Sequence, residues 1–287
     1  MTSALRFTQA HPVAAAAAAV LGVFVLIGLF GPALAPHDPN AQELGNRLQP
    51  PLTDGHPLGT DLLGRDVLSR LLAGARISLI IGVTAVALAC VVGVAIGLVS
   101  GYVGGVVDAV LMRLVDAWMA FPFLLVAIAL VAILGAGLRN LIIALVVTGW
   151  VVYARLVRGQ AAALREREFV LSARGLGASH LWVMLAHILP NVLGPVLVVA
   201  TLELGVVIVT EASLSFLGLG VESTQPTWGG MLADGRAYIS VAWWLATLPG
   251  LAIFTLVLAV NLLGDHLRDV LDPRARSRID KLAVEGL

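Results

Sequence analysis

The chain has 287 residues, 59% of them hydrophobic and 13% charged, with a mean hydropathy of +0.95. That is too apolar for an ordinary soluble domain and marks an all-α, polytopic membrane protein. A formal net charge of zero offers no field for nucleic acid, the single cysteine, Cys90, excludes a disulfide within the chain, and the one lysine, Lys281, lies in the tail where it serves no Walker A loop.

A hydrocarbon core of about 30 Å takes about 20 apolar residues in a helix that satisfies its own backbone groups. Six runs qualify: Pro12 to Leu34, Ile77 to Tyr102, Val106 to Leu134, Leu141 to Val157, Pro190 to Leu214 and Val241 to Leu263. Arg6, the first run and Ala33-Leu34-Ala35 imitate a secretory signal, but Val13 to Phe30 exceeds a signal core of about 7 to 15 residues, so an uncleaved anchor is expected. Pro36 to Ala73, rich in Pro, Gly, Asn and Asp, reads as loop and turn before a short helix toward Arg76.

In the second run Ala85, Ala89, Gly93, Gly97 and Gly101 recur at every fourth position. This spacing lets helix backbones approach closely in lipid, either within the chain or against a second membrane subunit. The third run contains Asp108, Arg113 and Asp116, and the three-residue spacing of Arg113 and Asp116 predicts an ion pair on one helical face.

Between the fourth and fifth runs, Arg165 to Asn191 carries seven charged or titratable side chains. The pattern predicts two short helices at an angle on the membrane face. In the first, Phe169, Ala173 and Leu176 make an apolar stripe; Gly177 ends it; Ser179 caps the second, in which Leu181, Met184, Leu185 and Ile188 share a face. Pro190 is placed at the start of the fifth span, where a missing amide proton does little harm. An interfacial amphipathic helix and a rigid knob for a soluble partner both fit this pattern.

The fifth run holds Glu203 and Glu211, within about 80° of each other around the helix axis. With Ser215 and Phe216 they are candidates for the pathway or its gate, because ionisable groups inside spans face protein or a wet cavity. From Phe216 to Ser240, Gly218, Gly220, Pro226, Gly229 and Gly230 interrupt any continuous helix. Trp228 and Met231 here, with Leu58, Leu62 and Leu63 earlier, anchor these two segments as a lid over one membrane face.

Arginine placement sets the orientation. The loop after run four has Arg155, Arg158, Arg165, Arg167 and Arg174, and the tail has Arg268, Arg274, Arg276, Arg278 and Lys281, so both termini are expected in the cytoplasm. The organisation expected is an N-terminal helix and extracytoplasmic segment (1–69), a five-helix core (70–266) with a cytoplasmic loop at 159–189, and a cytoplasmic tail (267–287). The six histidines are scattered, His180 and His187 lie seven apart, Glu166 and Glu168 point to opposite sides of a helix, and Ser213 and Ser215 lack a glycine-flanked elbow. Neither a catalytic site, a metal site nor a cofactor is expected.

The spacing from Gly177 to Pro190 resembles the cytoplasmic loop of ABC importer permeases, whose pattern is Glu-Ala-Ala, three residues, Gly, nine residues, Ile-x-Leu-Pro. Here it reads Leu171-Ser172-Ala173, Gly177, then His187-Ile188-Leu189-Pro190. Leu171 and Ser172 depart from the pattern, and Glu168, nearly one turn back, is the nearest substitute for its glutamate. His56 to Leu79, Glu211 to Val221 and Asn261 to Arg274 are similar to signatures of the second permease of dipeptide and oligopeptide importers.

The resemblance implies a permease subunit in the inner membrane, multi-pass, with six spans and a coupling helix. It implies a second homologous permease, cytoplasmic ATPase subunits, an extracytoplasmic substrate-binding protein and a peptide substrate, with nickel chelates or glutathione as alternative cargo. The ATPase would contact Glu168, Ala173, Arg174, Gly175, Gly177, Ala178, Leu189 and Pro190, with the apolar stripe of the loop packed on the bundle and its other face in a groove of the ATPase. An ion-coupled secondary transporter using Glu203 or Glu211 is the alternative of a different class, but the internal repeats with interrupted helices that mark such proteins are not visible; a non-transporting membrane scaffold is a third.

Overall fold

The computed structural model describes residues 12–221 and 224–271. Their regular elements are helical, as the composition requires: α1 Pro12–Leu34, α2 Val67–Val103, α3 Gly105–Met119, α4 Phe123–Leu134, α5 Leu138–Leu164, α6 Glu168–Gly175, α7 His180–Val183, α8 Leu189–Phe216, α9 Trp228–Gly235 and α10 Trp244–Leu271. Extended pairing among the described residues is limited to isolated bridges between Thr53 and His56 and between Thr60 and Asp66. The tail arginines from Arg274 onward and Lys281 lie outside the described residues, as does Arg6.

Among the described residues five helices are long and apolar enough to cross a membrane, and a sixth crossing exists if α3 and α4 count as one span. Those two helices meet at 85°, which corrects the expectation of an unbroken helix from Val106 to Leu134. The cause is Pro122. Its ring disfavours the helical conformation for the residue before it and its nitrogen donates no hydrogen bond, and its carbonyl instead starts α4 by accepting from the Leu125 and Val126 amides at 3.0 and 3.2 Å.

The second span also differs from expectation. The short helix near Arg76 and the run from Ile77 are a single helix of 37 residues, about 55 Å long. Asp66 caps it, accepting from the Ser69 amide at 2.8 Å. A helix of that length overreaches a hydrocarbon core of about 30 Å, so α2 connects the two faces of the molecule and projects beyond the apolar layer.

α2 and α5 form the most extensive helix pair. Ala85, Ala89, Gly93, Gly97 and Gly101 are all buried, and the three glycines lie against the carbonyls of Trp150, Ala154 and Arg158. The small-residue stripe is therefore filled from within the chain. At the α5 end of this seam, Asp108 of α3 receives a fork from Arg158, Nε to Oδ1 at 2.9 Å and Nη2 to Oδ2 at 2.5 Å, and a hydroxyl hydrogen bond from Ser100 at 2.6 Å. Asp116 pairs with Arg155. The expected Arg113 to Asp116 pair thus gives way to partners on the neighbouring helix.

At the opposite end of α2 lies the lid. Trp228 donates its indole hydrogen to the Leu71 carbonyl at 3.0 Å and Trp244 to the Thr60 carbonyl at 3.2 Å. Trp228 and Met231 are buried, with Leu58 packed alongside. Asp61 binds Arg65 at 2.6 Å and Arg70 at 3.5 Å, and both arginines reach Asp234 of α9 at 3.6 Å. Burial pushes the Asp234 carboxyl above the usual carboxylate range, while Arg70 and Arg65 pull it back.

The α2–α5 seam makes a test of opposite signs. A Cβ at Gly97 would sit 2.9 Å from the Val157 Cβ and 3.0 Å from the Arg158 nitrogen, whereas one at Gly22 meets nothing within 4 Å. Gly97→Leu is expected to destabilise the protein by about 1–3 kcal/mol or more, and Gly22→Ala to be neutral or stabilising by up to about 1 kcal/mol. Melting in detergent followed by size-exclusion chromatography reads both.

Candidate functional site

Two surfaces collect the residues singled out from the sequence. The first is built by α6 and α7. Arg167 is extended and begins α6, whose Val170 is fully buried. At its end the Gly177 amide donates to Arg174 O at 3.0 Å and the Ala178 amide to Ala173 O at 3.1 Å. Those two bonds define a Schellman turn, and Gly177 takes its left-handed position with φ of +85°. Ser179 then caps α7, its hydroxyl accepting from the Trp182 amide at 3.3 Å. The glycine stop and the serine cap lie where the sequence pattern puts them.

The orientation of α6 is the reverse of the one its stripe suggests. Phe169 is 43% exposed and Leu176 90% exposed, so these two stripe residues face outward, Ala173 packs at the margin of the core, and Val170 holds the helix to the bundle, together with Val183 and Ile188 from the following helix. Phe169, Ala173 and Leu176, with Ser172, Gly177, Ala178, Trp182 and His187, line an open hollow of ≈ 610 Å³. Trp182 meets His187 edge-on at 4.7 Å between ring centroids. Trp182 is the wall residue that the sequence reading missed; a large aromatic three residues after a serine cap, outside the Leu181–Ile188 face, is the signal available.

The second helix is not separate from the fifth span. Residues 184–188 form one π turn, in which the Leu189 amide reaches back to Met184 O, and the chain continues helically from His180 to Phe216. Pro190 therefore sits inside a continuous helix rather than at its beginning. Glu168, Arg174, Gly175 and Gly177 are exposed at the tip, Ala173 and Ala178 are half-buried beside it, and Leu189 packs on the core while Pro190 lies along the shaft. The Tyr102 hydroxyl and His180 Nδ1 are hydrogen-bonded at 2.9 Å, which ties the tip to the end of α2.

The second surface is a cleft of ≈ 390 Å³ inside the elbow between α3 and α4. Trp118, Phe121 and Phe123 form one wall, Thr148 and Val152 of α5 another, and Glu203 and Val206 of α8 a third. Glu203 is half-buried there. Glu211 is elsewhere: only 1% exposed, it accepts from Ser215 Oγ at 2.8 Å and from Ser78 Oγ at 3.4 Å. Ser215 is buried with it, and Phe216 carries the Arg236 guanidinium 4.9 Å above its ring. The four candidates on α8 thus divide into one cleft residue and three at the base of the lid.

Glu211 bridges α8 to α2 by accepting at both carboxylate oxygens; a glutamine keeps one acceptor oxygen for one serine hydroxyl and offers its NH2 to the oxygen of the other. Glu211→Gln is expected to keep most of the transport and the melting temperature, whereas Glu211→Leu strands two buried hydroxyls at about 1–3 kcal/mol each. Uptake and melting of the two variants are the measurements; loss of uptake in a well-folded Glu211→Gln protein would instead mark a role for the charge.

Comparison with known proteins agrees with this geometry. Residues 93–277 match the family described as binding-protein-dependent transport system inner membrane component, and residues 3–51 match the N-terminal transmembrane domain of oligopeptide transport permease C. A di/tripeptide transport system permease protein of Pseudomonas aeruginosa is 45% identical over 260 residues, 89% of this chain and 86% of that protein. A glutathione transport system permease protein of Escherichia coli is 44% identical over 272 residues, 94% and 89% of the two chains. Among solved structures, an inward-facing MetNI methionine ABC transporter chain shares the fold with a TM-score of 0.57 at 19% identity, covering 71% of this chain and 97% of that one. The helical bundle with its protruding loop therefore belongs to the family of inner membrane permease components of binding-protein-dependent ABC transport systems.

Proposed function

We propose that this chain is one of two homologous permeases forming the pathway of an ATP-driven importer of short peptides, with both termini in the cytoplasm. Its α6–α7 tip engages a groove of a cytoplasmic ATPase, and its lid face receives an extracytoplasmic substrate-binding protein. The observation that carries the reading is the tip itself. Val170, Val183 and Ile188 pin it to the core, while Phe169, Leu176 and Trp182 are exposed, which suits a knob pressed into a partner and is a poor arrangement for a free surface loop.

The mechanism follows from continuity. A displacement of the tip acts on one uninterrupted helix, His180 to Phe216, that carries Glu203 in the cleft and Glu211 under the lid. The hydrogen bond from Tyr102 to His180 couples the same displacement to α2, whose other end carries Trp228 and the ion-paired arginines. Closure of the ATPases can thus rock the two long helices together and expose the cleft to alternate sides.

Short peptides are favoured as cargo because the relatives transport di- or tripeptides and glutathione. The cleft also has the matching chemistry: aromatic and aliphatic walls around one carboxylate, Glu203, suited to a peptide ammonium group. Uptake of labelled dipeptides, glutathione and nickel chelates by membranes containing the assembly distinguishes these cargoes.

Orientation has its own test. With Cys90 replaced by alanine, cysteines at Gln42 and Gln225, both exposed, are expected to react with an impermeant thiol reagent from outside the cell, and one at Ser277 only after lysis. The reverse pattern overturns the topology.

At the tip, Gly177 has φ of +85° but open space where a Cβ would lie. Gly177→Asp therefore strains the turn by about 1 kcal/mol or more without a clash, and is expected to leave the protein inserted while cutting uptake several-fold, by loss of the ATPase or of its coupling. Leu171, 51% exposed, stands where the family pattern has glutamate, so Leu171→Glu is expected to be tolerated. Uptake and ATPase co-purification measure both; normal uptake with Gly177→Asp would overturn the assignment of the tip.

A further inference from the structure

We propose that His37, His56 and Asp66, on the lid face, form a binding site for a transition-metal dication of the Zn²⁺ type. One donor atom from each lies within 4.8 Å of the others. His56 Nδ1 is 3.0 Å from Asp66 Oδ1 and His37 Nδ1 is 3.8 Å from Asp66 Oδ2. A tetrahedral zinc with ligand bonds of about 2.0–2.2 Å holds its donors about 3.3 Å apart, so small rotations of existing side chains close the site.

The alternative is that His56 and Asp66 merely hydrogen-bond as part of the cap on α2. That accounts for two of the three residues. It leaves His37 Nδ1 buried without a hydrogen-bond partner, its ring tilted 32° to that of His56 at 4.9 Å between centroids. A buried polar atom without a partner is unfavourable, and a metal ion shared with His56 and Asp66 gives it one.

The surroundings are those of a supported site. Asp66 Oδ2 accepts from the Ser69 amide at 2.8 Å and from its hydroxyl at 2.7 Å, which fixes the carboxylate with Oδ1 turned to His56 Nδ1, the contact that a shared metal ion would replace. The same hydroxyl accepts from the His37 amide at 3.1 Å. Such outer contacts are the usual means of orienting metal ligands. His56 and Asp66 are 7% and 2% exposed, whereas the His37 side chain is 38% exposed, so a fourth position is open to water or an external donor. Two imidazole nitrogens and one carboxylate select zinc, nickel or copper over magnesium or calcium.

The bound ion would staple the chain just after α1 to the loop preceding α2 and to the cap of α2 itself. Titration calorimetry of Zn²⁺ into the full chain, purified in detergent with an affinity tag free of histidine, is expected to give one site per chain. His37→Gln and His56→Gln are each expected to weaken it by about tenfold or more. His37→Gln is the sharper variant, because its ring nitrogen has no existing hydrogen bond to lose. If either variant melts lower without metal, Co²⁺ bound to the unaltered protein decides: an intense tetrahedral visible spectrum supports the site, and a weak octahedral one overturns it. Zinc binding that is absent, or unchanged by His37→Gln, also overturns it.

Discussion

Along Gly93, Gly97 and Gly101 the α2 backbone rests on the carbonyls of Trp150, Ala154 and Arg158 in α5, and the remaining helices take their places from that contact. In lipid, apolar side chains gain little by leaving the solvent for one another, so close packing has to supply the association. Glycine makes it possible by bringing backbones together. Once α5 is held there, its Arg155 and Arg158 are placed to receive Asp116 and Asp108 of α3, and the elbow that follows α3 is aimed back at α5 and α8 to enclose the cleft.

The bundle separates rigid transmission from soft recognition. α2 and the helix from His180 to Phe216, each of 37 residues, run from the tip to the lid and are joined near both ends, by Tyr102 with His180 and by Ser78 with Glu211. The parts that meet other molecules are turns and short helices fastened to these shafts: α6 by one buried valine, α9 by a tryptophan and a cluster of ion pairs. A load applied at one face therefore has few compliant joints through which to dissipate.

What the sequence revealed depended on the range of the interaction. The Gly177 turn, the Ser179 cap and the small-residue stripe were legible because each is decided by residues within one or two helical turns. The side of α6 that faces inward was not, since Phe169, Val170 and Ala173 offer two plausible apolar faces and the choice is made by Val183 and Ile188 on another helix. The expected Arg113 to Asp116 pair fails for the same reason: the arginine that Asp116 meets is 39 residues away, and the one that Asp108 meets is 50. The elbow was masked differently. Hydropathy runs unbroken past Phe121-Pro122, and only the backbone rule for proline signals the change of direction. His37 and His56, scattered in sequence, are brought together by the Asp66 cap.

The π turn at Met184–Ile188 has a rotational consequence. Relative to an ordinary helix it accommodates one extra residue, and each residue in an α-helix turns the chain by about 100° and advances it by about 1.5 Å. The azimuth of Trp182 and the exposed tip relative to Glu203 is thus set by a single-residue wind in the shaft. Were that turn to relax to α-helical spacing, the knob would swing through roughly a quarter-turn about the α8 axis, at the expense of the Leu189 to Met184 bond and of the Val183 and Ile188 packing that now holds the tip; the azimuth of the pushed face is therefore locked to that of the face that opens.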